Sequence, residues 1–228
     1  GVVFDLDGTL IDSIPDVVGS INRLLVEEGR RELLSAEGRL MVGEGAASMV
    51  ERAFAATGHA VKGASLTALT DRYLAIYRRF PVIHTEPYPG VENVLKEFQN
   101  AGVVMGVCTN KPHEMSVLVL EQLGMLELFA SVIGGDALAV KKPDAGHVRA
   151  VLDAMGTAAD TAIYVGDSST DVAAARNAAI PVIAVSYGYS RIAPEALGAD
   201  MLIDRFDELP GAIARLTGLH CTTTAPCR

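Results

Sequence analysis

The chain has 228 residues, of which 50% are hydrophobic, and its 28 acidic and 19 basic residues give a formal net charge of -9. A chain of this length and apolar content can bury a large core, which excludes intrinsic disorder. The acidic balance, without a long run of lysine or arginine, argues against a nucleic-acid partner, because such binding depends on clustered cations.

Targeting and cysteine signals point to a cytoplasmic protein. The first ten residues, GVVFDLDGTL, are interrupted by acids too soon for a signal peptide, and no apolar stretch approaches the roughly 20 residues that span a bilayer. Cys108, Cys221 and Cys227 have the spacing of neither a disulfide framework nor a zinc site. We therefore expect no membrane partner, and we expect the polar end of the chain, residues 218–228, to be a flexible tail.

The first predicted element is a strand over residues 1–5, followed by a long helical segment from residue 13 to about residue 81. Apolar residues recur there at helical spacing in three groups: Val17, Ile21, Leu24 and Leu25; Met49, Val50, Ala53 and Phe54; and Leu69, Tyr73, Ile76 and Tyr77. A connection of this length is not a loop, so it predicts an inserted all-helical cap domain. The expected division is a core domain of residues 1–12 and 84–217, a cap domain of residues 13–83, and hinges near residues 12–14 and 81–89.

After this insertion, strand and helix patterns alternate. Short apolar runs rich in β-branched residues predict strands at residues 103–108, 132–134, 162–165, 181–185 and 201–203. Helical patterns lie at residues 91–100, 113–123, 146–155 and 170–178. This alternation predicts an α/β fold with a Rossmann-like open parallel sheet, helices on both faces, and functional groups at the carboxyl ends of the strands.

Two carboxylates, Asp5 and Asp7, stand at the end of the first predicted strand in the sequence FDLDGTL. Residues two apart project to the same side of an extended chain, and Gly8 permits an abrupt turn after them. Two like charges at one site need a cation or a division into acid and base roles. The pair predicts a metal site or an acid–base pair, although the same residue types also fit an ordinary turn that ends a strand.

A second acidic pair, Asp167 and Asp171, lies in the sequence GDSSTD after another predicted strand. Asp171 and its neighbouring hydroxyls also fit an ordinary helix start. Asp167, however, stands at the strand tip, facing the same crevice as the first pair. Converging carboxylate oxygens suit Mg²⁺, which prefers a few carboxylates together with water and phosphate oxygens.

Two weaker signals lie between the acidic pairs. Thr109 and Asn110 follow the second core strand, where a hydroxyl and backbone amides can bind an anion. Lys142, before Pro143, offers a point charge for a phosphoryl oxygen, although an isolated lysine is most often a solvated surface charge. The specific feature is that successive strand ends supply Asp-x-Asp, Thr, Lys, and a pair of aspartates.

The motifs FDLDGTL, CTN, KKP and GDSSTD, in this order and with a helical insertion after the first strand, resemble those of the haloacid dehalogenase superfamily, in the subgroup similar to phosphoglycolate phosphatase. The resemblance extends from residue 2 to about residue 216. It includes the stretches VGEGAASMVERAF, TNKP and PVIAVSYGY. Ala145 departs from the pattern, since the family often has a second proline there, and we expect this to alter a helix start and not the chemistry.

The resemblance implies a Mg²⁺-dependent phosphoric monoester hydrolase acting on a small phosphorylated metabolite, with 2-phosphoglycolate the first candidate. Asp5 would attack phosphorus to form an aspartyl-phosphate, and Asp7 would protonate the leaving alcohol and then activate water. Thr109 and Lys142 would neutralise charge on the phosphoryl group. The implied metal ligands are Asp5, the main-chain carbonyl of Asp7, Asp167 and, as a brace behind them, Asp171.

The resemblance also implies that the cap closes over the crevice and selects the leaving group. One turn resembles the family's substrate-facing loop, although it also fits an ordinary turn between helices, and it consists of Gly43, Glu44 and Gly45. We expect Asn110 to contact substrate and Arg52 to bind a second carboxylate on it. Competing cations for that carboxylate are Arg39 and Lys62.

Several functions remain open from the sequence. The substrate could be another small metabolite, such as a sugar phosphate or a nucleotide, and the reaction could be that of a phosphomutase. Asp7 argues against a dehalogenase, which has no use for that acid. A non-catalytic phospho-receiver would also group carboxylates with a lysine, but it has little use for a cap. The sequence leaves monomer and homodimer as alternatives.

Overall fold

The computed structural model describes residues 1–218. Apart from its first residue, the predicted tail of residues 218–228, with Cys221 and Cys227, lies outside the described residues. Within residues 1–218 no helix has the length and apolar content that a bilayer crossing requires.

The main sheet is parallel. The strands are, in chain order, β1 (Val2–Phe4), β2 (Ile11–Asp12), β3 (Glu86–Pro87), β4 (Met105–Cys108), β5 (Ser131–Ile133), β6 (Ile163–Gly166), β7 (Val182–Val185) and β8 (Met201–Ile203). Six of them form one sheet in the order β5-β4-β1-β6-β7-β8, with every neighbouring pair parallel. The side chains of β1 are apolar on both faces, because Val2 and Phe4 enter one buried cluster and Val3 enters another.

Helices cover both faces of this sheet. In chain order, the α-helices of residues 1–218 are α1 (Ile14–Glu27), α2 (Ser35–Arg39), α3 (Ala46–Thr57), α4 (Gly63–Arg79), α5 (Val91–Asn100), α6 (His113–Gln122), α7 (Ala145–Met155), α8 (Ser169–Ala178) and α9 (Leu209–Thr217). Apolar residues of α5, α6 and α9 pack on one face, and those of α7 and α8 pack on the other. α7 begins at Ala145, and the Asp144 carboxylate caps it by accepting a hydrogen bond from Gly146 N (2.7 Å). The predicted α/β fold is confirmed.

Helices α1 to α4 form the inserted segment and have an apolar cluster of their own. The three groups of apolar residues with helical spacing lie in α1, α3 and α4, and all of them are buried except Ile76, which is partly buried. Met115 of α6 joins this cluster and so anchors it to the core. The inserted helical cap is therefore confirmed, while its boundaries at residues 13 and 83 stay a prediction.

The two chain crossings between cap and core form a short antiparallel ladder. β2 pairs with β3, which places Ile11 opposite Pro87 and Asp12 opposite Glu86. Neither hinge is predicted as a strand from the sequence, because strands of two residues are too short to show alternation and β3 also contains a proline.

Asp16, in the first turn of α1, stabilises the second hinge, residues 81–89, by hydrogen bonds. Its carboxylate accepts hydrogen bonds from the amides of Ile83 (2.9 Å), His84 (2.9 Å) and Thr85 (2.8 Å), and from the Thr85 hydroxyl (2.7 Å). Burial by itself raises the pKa of Asp16, but these hydrogen bonds outweigh it and hold that pKa below its usual range. One carboxylate therefore satisfies four donors at the crossing.

Replacing Asp16 with alanine is expected to lower the free energy of unfolding at pH 7 by about 3 kcal/mol, because the hinge donors lose their acceptor. Since the folded-state pKa of Asp16 is depressed, its contribution is complete above the unfolded-state value of 3.8 and is lost as pH falls below it. Urea unfolding should therefore show a smaller difference in the free energy of unfolding between the parent and D16A at pH 3 than at pH 7. D71A, at an exposed site on α4, serves as the control, and equal stabilities of D16A and the parent at pH 7 would contradict the prediction.

Candidate active site

The residues singled out at the strand ends meet at one edge of the sheet. Asp5 follows β1, Thr109 follows β4, and Asp167 follows β6, while Lys142 stands in the loop between β5 and α7. Because β4, β1 and β6 are adjacent and parallel, their carboxyl ends face the same crevice. All four residues are buried.

Three carboxylates form a compact buried cluster there. One oxygen from each of Asp5, Asp167 and Asp171 lies within 4.8 Å of the others. Burial raises the pKa of Asp5 to about 7, opposed by Lys142 and assisted by the charge of Asp171. Burial, together with the charges of Asp171 and Asp5, raises the pKa of Asp167 well above its ordinary value. The cluster thus holds more negative charge than its surroundings neutralise.

Lys142 supplies the positive charge within this cluster. Its Nζ lies 2.7 Å from Asp171 Oδ1 and 2.8 Å from Asp5 Oδ1, and the residue is only 3% exposed. His147 positions the lysine backbone, because its Nδ1 accepts from Lys142 N (3.1 Å) while its Nε2 lies 3.2 Å from Ile133 O. Lys142 is therefore a fixed internal charge and not the solvated surface lysine that its sequence also allows.

Asp171 accepts hydrogen bonds at both of its carboxylate oxygens. Its Oδ1 accepts from Lys142 Nζ and lies 3.1 Å from the Tyr164 hydroxyl. Its Oδ2 accepts from the amides of Asp167 (3.3 Å) and Ser168 (3.0 Å) and from the Ser168 hydroxyl. Ser168 Oγ in turn accepts from Asp171 N, a capping box that begins α8. These donors occupy both oxygens of Asp171, and its role as a brace behind the metal ligands stays a prediction.

The remaining oxygens suit a hard divalent cation. Asp5 Oδ1 is within ion-pair distance of Lys142 but not in line for a hydrogen bond, and it is buried without a hydrogen-bond donor from residues 1–218. The Asp167 carboxylate accepts from the Thr9 hydroxyl (3.3 Å) and from the Tyr189 amide. Gly8 and Gly188 make room for it, since a Cβ at either position would lie within 2.6 Å of an Asp167 atom. Buried, incompletely paired carboxylates of this kind fit Mg²⁺.

Asp7 is paired with a residue to which the sequence analysis assigns no role. Lys111 Nζ donates to Asp7 Oδ1 at 2.9 Å and lies 3.2 Å from Oδ2, and Ser13 Oγ donates to Oδ1 at 2.6 Å. Lys111 Nζ also donates to the hydroxyl of Tyr77 on α4 (2.9 Å). The sequence TNKP contains this lysine, but nothing local distinguishes it from a surface lysine, because its partners come from the loop after β1 and from the cap.

Burial alone lowers the pKa of Lys111, and the Asp7 carboxylate and the Tyr77 oxygen reverse this effect, so the net shift is upward. Lys111 is therefore charged, although it is 6% exposed. Thr109 Oγ1 accepts from the Lys111 amide (3.2 Å), so the turn after β4 orients both residues. Asn110 Nδ2 donates to the carbonyls of Lys142 and Gly43 (both 3.2 Å), which links the core crevice to the cap.

A cavity of about 500 Å³, including its open mouth, lies between the crevice and the cap. Its floor contains Asp5, Asp7, Thr109, Asn110 and Lys111, and its roof contains apolar and aromatic side chains from the cap. Of the predicted cap loop, Gly43 and Gly45 line this cavity. A Cβ at Gly45, where φ is +96°, would lie 3.2 Å from Asn110 O, so the close approach of the two chains favours glycine.

The predicted cap ligands Glu44 and Arg52 are not among the residues that line this cavity. Arg52 forms an ion pair with Glu44 (2.5 Å), and Arg191 of the core binds the other Glu44 oxygen (2.7 Å). The adjoining Arg52 guanidinium, with a further contribution from Arg191 and against the effect of burial, lowers the pKa of Glu44 to about 2. Glu44 thus joins cap to core.

Neither alternative cation lines the cavity. Arg39 Nη2 donates to the carbonyls of Tyr187 (2.9 Å) and Gly188 (2.6 Å), and Lys62 is exposed at the start of α4. The structure therefore brings together the predicted core residues, Gly43 and Gly45, and leaves the predicted cationic ligands of the cap elsewhere.

Known proteins share both the sequence pattern and the fold. A sequence profile of haloacid dehalogenase-like hydrolases matches residues 2–185. The chain is 40% identical to a phosphoglycolate phosphatase of Caulobacter vibrioides, over 94% of this chain and 91% of that protein. It is 43% identical to a phosphoglycolate phosphatase of Rhodospirillum rubrum, over 91% of this chain and 88% of that protein. The crystal structure of a predicted phosphoglycolate phosphatase from Haemophilus somnus 129PT matches with a TM-score of 0.87 and 26% identity, over 93% of this chain and 96% of that chain.

These similarities confirm the resemblance found in the sequence. The matched profile spans every strand end that contributes to the crevice, from Asp5 to Asp167, and the similar crystal structure includes the cap as well as the core. The chain therefore belongs to the haloacid dehalogenase-like hydrolases.

Proposed function

We propose that the protein is a Mg²⁺-dependent phosphatase that hydrolyses a small phosphate monoester, with 2-phosphoglycolate the first candidate. The observation that carries this proposal is the placement of two differently paired aspartates on the floor of one cavity. Asp5 adjoins the buried cation Lys142, and Asp7 adjoins Lys111 and Ser13. Relatives at 40% and 43% identity that are named phosphoglycolate phosphatase support the choice of substrate.

The two aspartates would divide the reaction into two displacements. Asp5 would attack phosphorus and form an aspartyl-phosphate, which water then hydrolyses to regenerate the carboxylate. Asp7 would donate a proton to the leaving alcohol in the first step and accept one from the attacking water in the second. The Asp7 side chain lines the cavity and is 11% exposed, so it can reach the leaving group and the attacking water.

The fixed charges around Asp5 suit a phosphoryl group. Lys142 and the hydroxyl of Thr109 would stabilise negative charge on its equatorial oxygens. Mg²⁺ would be held by Asp5, the main-chain carbonyl of Asp7 and Asp167, and it would supply further charge neutralisation when bound. Asp171 would keep Lys142 in place by the 2.7 Å ion pair.

The cap would exclude water from this chemistry. Asn110, Lys141 and Arg191 of the core bind backbone carbonyls of the loop that includes Gly43 and Gly45, so the cap lies closed over the crevice. The cap side chains Val17, Met49 and Leu74 give the cavity an apolar roof.

Phosphate release from 2-phosphoglycolate is expected to require a divalent cation. The purified protein should be active with Mg²⁺, inactive after treatment with EDTA, and active again when Mg²⁺ is restored, because the buried carboxylates otherwise repel the anionic substrate. Specificity constants measured for a panel of small phosphate esters would rank the substrates. Release of phosphate from none of these esters, or activity that is unchanged by EDTA, would contradict the proposal.

A further inference from the structure

The cavity contains a cation that the proposed displacement steps leave unused. Among the cavity-lining residues that the structure describes, Lys111 is the single cation, and it lies on the side nearest the cap. Its Nζ contacts the Asp7 carboxylate and the Tyr77 hydroxyl, and it lies 4.8 Å from the centre of the Tyr77 ring. A buried ammonium group is costly unless it is paired, and Lys111 is paired with Asp7 on the floor of the cavity.

Two phenols of α4, Tyr73 and Tyr77, line the same cavity, and the Tyr77 hydroxyl contacts this cation. Tyr77 uses its oxygen to accept from Lys111, which leaves its own hydrogen free, and the Tyr73 hydroxyl makes no hydrogen bond within residues 1–218. The two rings stack on α4 with centroids 6.0 Å apart, and both residues line the cavity. Burial raises the pKa of both phenols, so they stay protonated and able to donate.

The position of this group limits what it can bind. In the proposed mechanism Asp7 adjoins the oxygen of the leaving alcohol, and Lys111 Nζ is 2.9 Å from Asp7 Oδ1. An anionic group that reaches Lys111 must therefore be attached one or two carbons from the ester oxygen. One cation with two hydroxyl donors suits a carboxylate, whose two oxygens accept several hydrogen bonds.

We propose that Lys111, Tyr73 and Tyr77 bind the carboxylate of the leaving group, so that the enzyme selects phosphate esters of short 2-hydroxy acids. This inference rests on the proposed function and names the residues that set its specificity. It assigns to Lys111 the part that the sequence analysis gives to Arg52, because Arg52 is paired with Glu44 away from the cavity.

The test compares two esters that differ in one group. The esters are 2-phosphoglycolate and 2-hydroxyethyl phosphate, in which an alcohol replaces the carboxylate. The K111M variant is expected to lose the preference for 2-phosphoglycolate, measured as the ratio of the two kcat/KM values, by about 10- to 100-fold. If K111M also disturbs Asp7, the kcat/KM values for both esters fall by the same factor, and this general effect cancels in the ratio. K96M, at an exposed lysine of α5, should leave the ratio unchanged.

The Y73F variant is a second test of the inference, and it leaves the ion pair between Lys111 and Asp7 intact. It is expected to lower the same ratio by about 3- to 10-fold, through the loss of one hydrogen bond to the carboxylate. If neither K111M nor Y73F changes the ratio, the inference is wrong even though the protein is a phosphatase. If the parent hydrolyses other esters of the panel but neither of these two, the inference is wrong while the proposed phosphatase function stands. If it hydrolyses no ester of the panel, the proposed function fails and the inference fails with it.

Discussion

Replacing Asp5 with asparagine is expected to lower the rate of phosphate release by roughly 10⁴-fold or more, because the amide cannot form the covalent bond to phosphorus. The effect should appear in kcat, since the cavity that binds the ester keeps its shape. Steady-state kinetics with Mg²⁺ and 2-phosphoglycolate measures it. D204N provides the control, because Asp204 also follows a strand, β8, but is exposed and binds Ser186 outside the cavity.

The same variant should fold at least as stably as the parent. Burial raises the pKa of Asp5 to about 7, so the ionised carboxylate is disfavoured in the folded protein at neutral pH and above, and the amide removes this cost. Lys142 keeps a partner in Asp171, 2.7 Å away. Thermal unfolding in EDTA is expected to give D5N a Tm no lower than that of the parent. Residual activity above 1% in a folded D5N protein would contradict the role of Asp5.

The core of the site could be predicted from the sequence, because residues that directly follow parallel strands lie at the same edge of the sheet. Asp5, Thr109 and Asp167 each follow an apolar run, and parallel strands bring their carboxyl ends to one edge of the sheet. The sheet could be predicted for the same reason, because its central strands β1, β4 and β6 are continuous segments buried on both faces.

The cap side of the site could not be predicted in this way. The pair of Lys111 and Asp7 joins residues 104 apart in sequence, and its third member, Tyr77, comes from the inserted helices. Arg52 has the positive charge that would bind a substrate carboxylate, but it forms an ion pair with Glu44, eight residues before it. Sequence spacing carries no information on which of several cations points inward, because tertiary packing of the cap decides it.

Short elements were missed for a related reason. α2 has five residues, and the hinge strands β2 and β3 have two each, which is too few for either periodicity to emerge. Their conformation depends on contacts such as those of Asp16 with the second hinge, which a local pattern does not contain.

The substitution of Lys142 by methionine is expected to combine a loss of activity with a loss of stability. Removing one partner of a buried ion pair leaves carboxylates without compensation, which costs about 3–5 kcal/mol. Both Asp5 and Asp171 lose their cation in this case, and all three residues are buried. Phosphate release should fall by roughly 10²- to 10³-fold or more, since the charge on the phosphoryl oxygens is no longer balanced.

A double variant separates the electrostatic effect from a packing defect. In the parent, Lys142 favours the ionised form of Asp5, so removing the Asp5 charge should stabilise K142M more than it stabilises the parent. Urea unfolding in EDTA of the parent, D5N, K142M and D5N/K142M measures this coupling. K141M is the matched control, because the neighbouring Lys141 donates to a carbonyl at the surface and its loss should cost less than about 1 kcal/mol. Additive effects of D5N and K142M would show that Lys142 does not balance the charge of Asp5, and that role of Lys142 would then be wrong.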